Sequence, residues 1–168
     1  MKQPLLLLAC AVVCAGILPA QNPMIKEAKQ AYDTIKINIQ KSAEKMPAEA
    51  YSFKATPEER SWAELMGHIA DAQTRICSAA TGEMKPATAG KLTEKGELVK
   101  ALQESAAVCD AAWESTNNEN AHTTAKMGRR EMTRLGMLIY NTTHDNESYG
   151  TMAVYMRLKH VVPPSSEK

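Results

Sequence analysis

MTRLGMLIYNTTHDNESYGTMAVYMRL, residues 132–158, is the stretch whose spacing decides the fold. At 3.6 residues per turn, Met132, Leu135, Ile139, Thr142, Asn146, Tyr149, Ala153 and Met156 fall on one stripe, the pattern of a core-facing helix. Met137, His144, Ser148 and Tyr155 align on the opposite face, so this helix has side chains to bury, or to line a cavity with, on both sides. It is expected in the middle of the molecule, as its most buried element. Its second face carries a titratable imidazole followed one turn later by a hydroxyl, and chemistry is expected there.

Working outward, three more helices precede it. The first runs from about Pro23, in the first-turn position that suits proline, to about Lys45, with Ile25, Ala28, Tyr32, Ile35, Ile39 and Ala43 at steps of three and four. Met46-Pro47 stops it. The connection 48–60 holds Tyr51, Phe53 and Pro57, more aromatic than a free linker, and is expected to pack across the end of the fold. Ser61 with Glu64 three residues later forms a capping box that starts the second helix, whose apolar stripe is Trp62, Leu65, Met66, Ile69 and Ile76. His68 lies at the rim of that stripe, with Asp71 and Arg75 beyond. Gly82 and Pro86 break the pattern, and a third helix spans about Thr93 to Ser115 with Leu98, Leu102, Ala106, Cys109 and Trp113 in register. Gly128 precedes the last helix and Pro163-Pro164 ends it; no strand pattern is read anywhere. The expected fold class is all-α, an antiparallel four-helix bundle, neighbours running antiparallel because the connections are short.

The first twenty residues stand apart from that pattern. Lys2 supplies a short positive start, Leu5 to Leu18 an apolar run too short to span a bilayer, and Leu18-Pro19-Ala20 a small-residue cleavage site before Gln21. Residues 1–20 are therefore expected to be a cleaved export signal and 21–168 a single domain, exported to a periplasm or the medium. Of 20 basic and 19 acidic residues, the leader takes one lysine and no acid, leaving the mature chain balanced. A balanced chain without a basic block offers nothing to attract nucleic acid, or a membrane once the signal is removed. Cys77 and Cys109 remain. An oxidising compartment permits them to bridge, and two separate buried thiols are the alternative.

Four segments, taken in order, resemble the DinB superfamily of four-helix bundles: Leu65-Met66-Gly67-His68-Ile69-Ala70-Asp71, Met132-Thr133-Arg134, His144-Asp145-Asn146-Glu147-Ser148-Tyr149-Gly150 and Val161-Val162-Pro163-Pro164. The resemblance extends over essentially all of the mature chain. It implies a bundle whose pocket holds a divalent metal on three histidines, one in the second helix and two at i, i+4 in the last. It also implies kinship with metal-dependent transferases that use low-molecular-weight thiols. Carried over, the ligands are His68 and His144, and Ser148 stands at the third position. A neutral hydroxyl is a poor donor for zinc or nickel, so either ion is expected to be held weakly or not at all.

Two functional readings follow. In one, the pocket is a degenerate metal site that takes a small-molecule ligand. In the other, Glu147, three residues after His144, or Asp71, three after His68, completes the donor set of an active transferase or hydrolase. A small molecule is the expected partner, with a homodimer left open. His122 and His160 read as solvated side chains, the ten methionines mostly as core filler, and neither Ser148 nor Cys77 shows the base and orienter of a nucleophilic triad.

Overall fold

The structure, a computed structural model, describes residues 22–167. The expected export signal, Gln21 and Lys168 lie outside them. Four helices carry the fold: α1 (Pro23–Lys45), α2 (Trp62–Thr81), α3 (Lys95–Glu114) and α4 (Arg134–Leu158). The local chemistry explains their ends. The Asn22 side chain accepts the Met24 N–H at the start of α1, ahead of Pro23. At α2 the Ser61 hydroxyl accepts the Glu64 N–H at 3.2 Å, and the Glu64 carboxylate accepts the Ser61 N–H at 2.6 Å, so the capping box is formed. Gly82, with φ of 78°, ends α2 in the left-handed conformation.

Helix α2 packs against α3 and α4, and α1 against the same two, so α1 and α2 lie across a diagonal. Antiparallel contacts run between α1 and α3, where Tyr32 meets Ala106 and Lys95 meets Met46. They run also between α2 and α4, where His68 meets His144 and Tyr155 meets Arg60. Against the expectation that neighbours run antiparallel, α2 and α3 run the same way, Gln73 beside Ser105 and Cys77 beside Cys109. The connection 82–94 makes this parallel pairing feasible because it returns along α2. Asp71 accepts N–H groups from Ala89 and Gly90 at 2.7 and 3.0 Å, and Gly67 lets it approach: a Cβ there would lie 2.6 Å from the Ala89 carbonyl oxygen.

The core has two parts. One gathers Trp62, Met66, Ile69, Leu98, Met152 and Tyr155 toward the end closed by 48–60, where Tyr51 is buried and Phe53 packs edge-on to Tyr155. The other gathers Tyr32, Ile76, Trp113, Met137 and Leu138. Cys77 and Cys109 form a disulfide between α2 and α3, with Cα atoms 4.9 Å apart and a sequence separation of 32. Closing a loop of that length stabilises the fold by roughly 3–4 kcal/mol on a chain-entropy account.

Three further expectations are corrected. The polar segment before α4 contains a two-stranded antiparallel hairpin, β1 (Thr124–Met127) and β2 (Arg130–Thr133). Gly128, at φ 59°, opens its two-residue turn, which Arg129 completes. Strands this short are hidden from any period-two reading. The buried face of α4 also departs from the expected stripe: Ile139 and Asn146 are exposed, whereas Leu138, Asn141, Asp145 and Met152 are buried, and Met137, Ser148 and Tyr155 of the second face are buried as expected. Finally, α2 is the more buried helix, with 14 of its 20 residues inside against 11 of 25 in α4.

Candidate functional site

A groove between α2 and α4 opens into a cavity of about 410 Å³, within the size range of small-molecule sites. Helix α2 contributes Leu65, His68, Ala72, Arg75 and Ile76, spaced at three and four residues so that one stripe faces the cavity. Helix α4 contributes Tyr140, His144, Glu147, Ser148, Thr151 and Tyr155. The loop residues Glu59 and Arg60 close one end and Met127 of the hairpin reaches the other.

The two imidazoles meet at the centre, with His68 Nε2 and His144 Nε2 3.1 Å apart. One must donate and the other accept, so the pair needs at least one neutral ring. His144 Nδ1 faces Asp145 Oδ1 at 3.8 Å, beyond direct hydrogen-bonding distance, and both atoms are buried without another partner. That neighbour favours the tautomer with a proton on His144 Nδ1, which leaves its Nε2 lone pair for His68 Nε2–H. Burial is the main influence lowering the pKa of His68, followed by the charge of Arg60, then His144 and Arg75, so its neutral form is favoured.

Asp145 is fully buried. Its Oδ2 accepts from the Gln73 amide at 3.0 Å and from the Asn141 amide at 2.9 Å, and the Gln73 carbonyl in turn accepts the Ser105 hydroxyl at 2.7 Å. Burial raises its pKa, opposed by those amides and by His144. This polar chain pins α4 to α2 and α3 beneath the histidines. None of its members is among the expected site residues: the i, i+4 spacing of Asn141 and Asp145 is its only local part, and Gln73 comes from another helix.

The other named candidates divide. Ser148 is buried and lines the cavity beside His144, one turn on as expected. Glu147 lines the same cavity but is exposed. Asp71 is engaged: both of its oxygens hold backbone N–H groups of the 82–94 connection, which removes it as a free donor toward the histidines. His122 and His160 are exposed and stand outside this cavity.

The donor set can be compared with the three-histidine metal that the resemblance implies. Two imidazole nitrogens bound to one tetrahedral ion at about 2.0 Å lie roughly 3.3 Å apart, close to the spacing here. A third donor is missing. Ser148 offers a neutral hydroxyl, and among the described residues no group of three or more His, Cys, Asp and Glu side chains is arranged to hold an ion. The residues fit two corners of the site and not the whole.

The profile of the DinB superfamily matches residues 32–152. Solved structures share the fold at low identity. A DinB-like protein from Bacillus cereus ATCC 10987 superposes with a TM-score of 0.71 at 18% identity, covering 83% of this chain and 95% of that one. One from Bacillus subtilis gives 0.64 at 20%, covering 80% and 92%. A mutant of the mycothiol-dependent maleylpyruvate isomerase gives 0.60 at 15%, covering 73% of this chain and 59% of that one. No curated protein matches the chain.

Proposed function

The chain belongs to the DinB superfamily, and from that premise we propose that it is an exported small-molecule-binding member whose metal pocket at His68 and His144 is degenerate. The observation that carries this reading is the direct 3.1 Å contact between the two Nε2 atoms with Ser148, not a third imidazole, beside them. With a hydroxyl in place of the third histidine, zinc or nickel affinity falls, while the cavity and its walls remain fit to bind a ligand. Export is supported by the leader-like start at Lys2 and Leu5 to Leu18, and by a disulfide of the kind that oxidising compartments allow. Among the described residues no helix is long and apolar enough to cross a membrane.

A second reading is favoured by one observation: Glu147 lines the same cavity as both histidines. If its carboxylate swings inward, two histidines and a carboxylate make a set that suits a metal-dependent transferase or hydrolase. Metal analysis by mass spectrometry of protein purified without an affinity tag separates the two. The degenerate pocket predicts zinc and nickel well below one ion per chain after dialysis. Stoichiometric metal that is lost in Glu147→Ala supports the active enzyme instead.

A further inference from the structure

The outer face of α4 has no partner among the described residues. Thr143, Glu147, Gly150, Val154 and Arg157 are all exposed and follow one another at alternating steps of four and three residues, the spacing with which one helix presents a seam to another. Val154 in that seam and Leu158 beside it are each 52% exposed. Gly150 stands at its centre. A glycine inside a helix lowers the stability of that helix, and it is favoured where something must approach the backbone closely. Nothing in this chain does so: a Cβ on Gly150 would meet no atom within 4 Å outside the local helix backbone. The two charges of the seam are also unmatched. Glu147 has no ion pair or side-chain hydrogen bond among the described residues, and Arg157 reaches only neutral oxygens, the Ala153 carbonyl at 3.3 Å and the Ser166 hydroxyl at 3.0 Å.

We propose that a second copy of this chain covers that face, the two α4 helices packing antiparallel across a two-fold axis level with Met152. Each seam residue then meets the one equally far along on the other side of Met152. Gly150 receives Val154 of the partner subunit, and Glu147 meets Arg157 of the partner subunit; the symmetry repeats both contacts. The glycine leaves the space that the valine fills, and each carboxylate gains a cation. The chain carries a formal net charge of only +1, so two copies do not repel one another. One helix pair buries less than a standard interface of about 1,600 Å², which makes the dimer reversible. Glu147 also lines the cavity that holds His144. The dimer therefore places the partner's Arg157 at the rim of the groove, where it draws the Glu147 carboxylate outward from the histidines. The inference does not depend on whether the pocket binds a metal or a small molecule.

The test is sedimentation velocity of the purified protein over a range of concentrations. The wild type should pass from monomer to dimer between about 1 and 500 μM. Glu147→Arg and Arg157→Glu should each weaken association by at least about tenfold, since each sets like charges opposite one another twice per dimer. Mixed together, those two variants should associate to within about threefold of the wild type, because each then meets the opposite charge at both contacts. Gly150→Leu should also weaken association by at least about tenfold while circular dichroism shows the helical content unchanged, since the position is open within its own chain. A protein that stays monomeric across the range, a dimer indifferent to either charge reversal or to Gly150→Leu, or two reversed variants that fail to associate with each other would overturn the inference.

Discussion

His68 is kept in its neutral form by its surroundings, and that has a consequence for acid stability. Burial first, and then the charge of Arg60, lower its pKa from the ordinary 6.5. Above the ordinary value neither the folded nor the unfolded chain protonates this ring, and it contributes nothing to pH dependence. As pH falls below it, the unfolded chain takes the proton first, so folded stability declines until the lowered pKa is passed and then the loss is constant. NMR titration should place His68 below 6.5, and Arg60→Gln and Arg75→Gln should each move it upward. An unshifted His68, or one raised, would contradict the arrangement of charges around the groove. Much of this site is written in the residues themselves. His68, His144 and Ser148 converge where helical spacing places them, whereas Asp145 escaped notice because a carboxylate in a core is legible only when its amide partners, Gln73 from another helix and Asn141, are brought beside it.

At the scale of elements, helix ends and stripes were legible because they are local. Pro23, the Ser61 and Glu64 box and the α3 stripe each depend on residues within a few positions. The full buried face of α4 was not legible. Thr142, Tyr149, Ala153 and Met156 belong to its buried face, but so do Asn141 and Asp145, whose polarity conceals their burial from a hydrophobic count. The hairpin was concealed by its length, and the direction of α3 by the 82–94 connection, whose path is fixed by Asp71 and Gly67 on another element. The end of α4 offers a test. His160 adopts φ 58° as the left-handed residue of a Schellman cap, in which Val161 N–H reaches the Met156 carbonyl at 2.8 Å and His160 N–H the Arg157 carbonyl at 3.0 Å. A residue with a Cβ pays for that conformation, and the exposed His160 side chain brings little packing in return. His160→Gly should therefore stabilise the protein by roughly 1 kcal/mol, seen as a melting temperature raised by about 2–4 °C. A lowered melting temperature would show that the imidazole contributes more than its exposure allows.

For the whole molecule, the fold exists to hold α2 against α4 so that a polar groove can persist beside a packed core. The disulfide fixes α3 to the back of α2, the Gln73–Asp145–Asn141 network fixes α4 to its front, and the groove lies just above that network. Two imidazoles thus face a cavity within the size range of small-molecule sites, and Ser148 stands where the resemblance would place a third metal donor. The geometry for that donor is present, since Ser148 stands one turn after His144 and lines the same cavity. Calorimetric zinc titration of the wild type beside Ser148→His, with His68→Ala and His144→Ala as controls, is the most direct test. The account predicts weak binding in the wild type, a gain of more than about tenfold in Ser148→His, and loss of binding in both alanine variants. Wild-type zinc binding as tight as that of Ser148→His would contradict it.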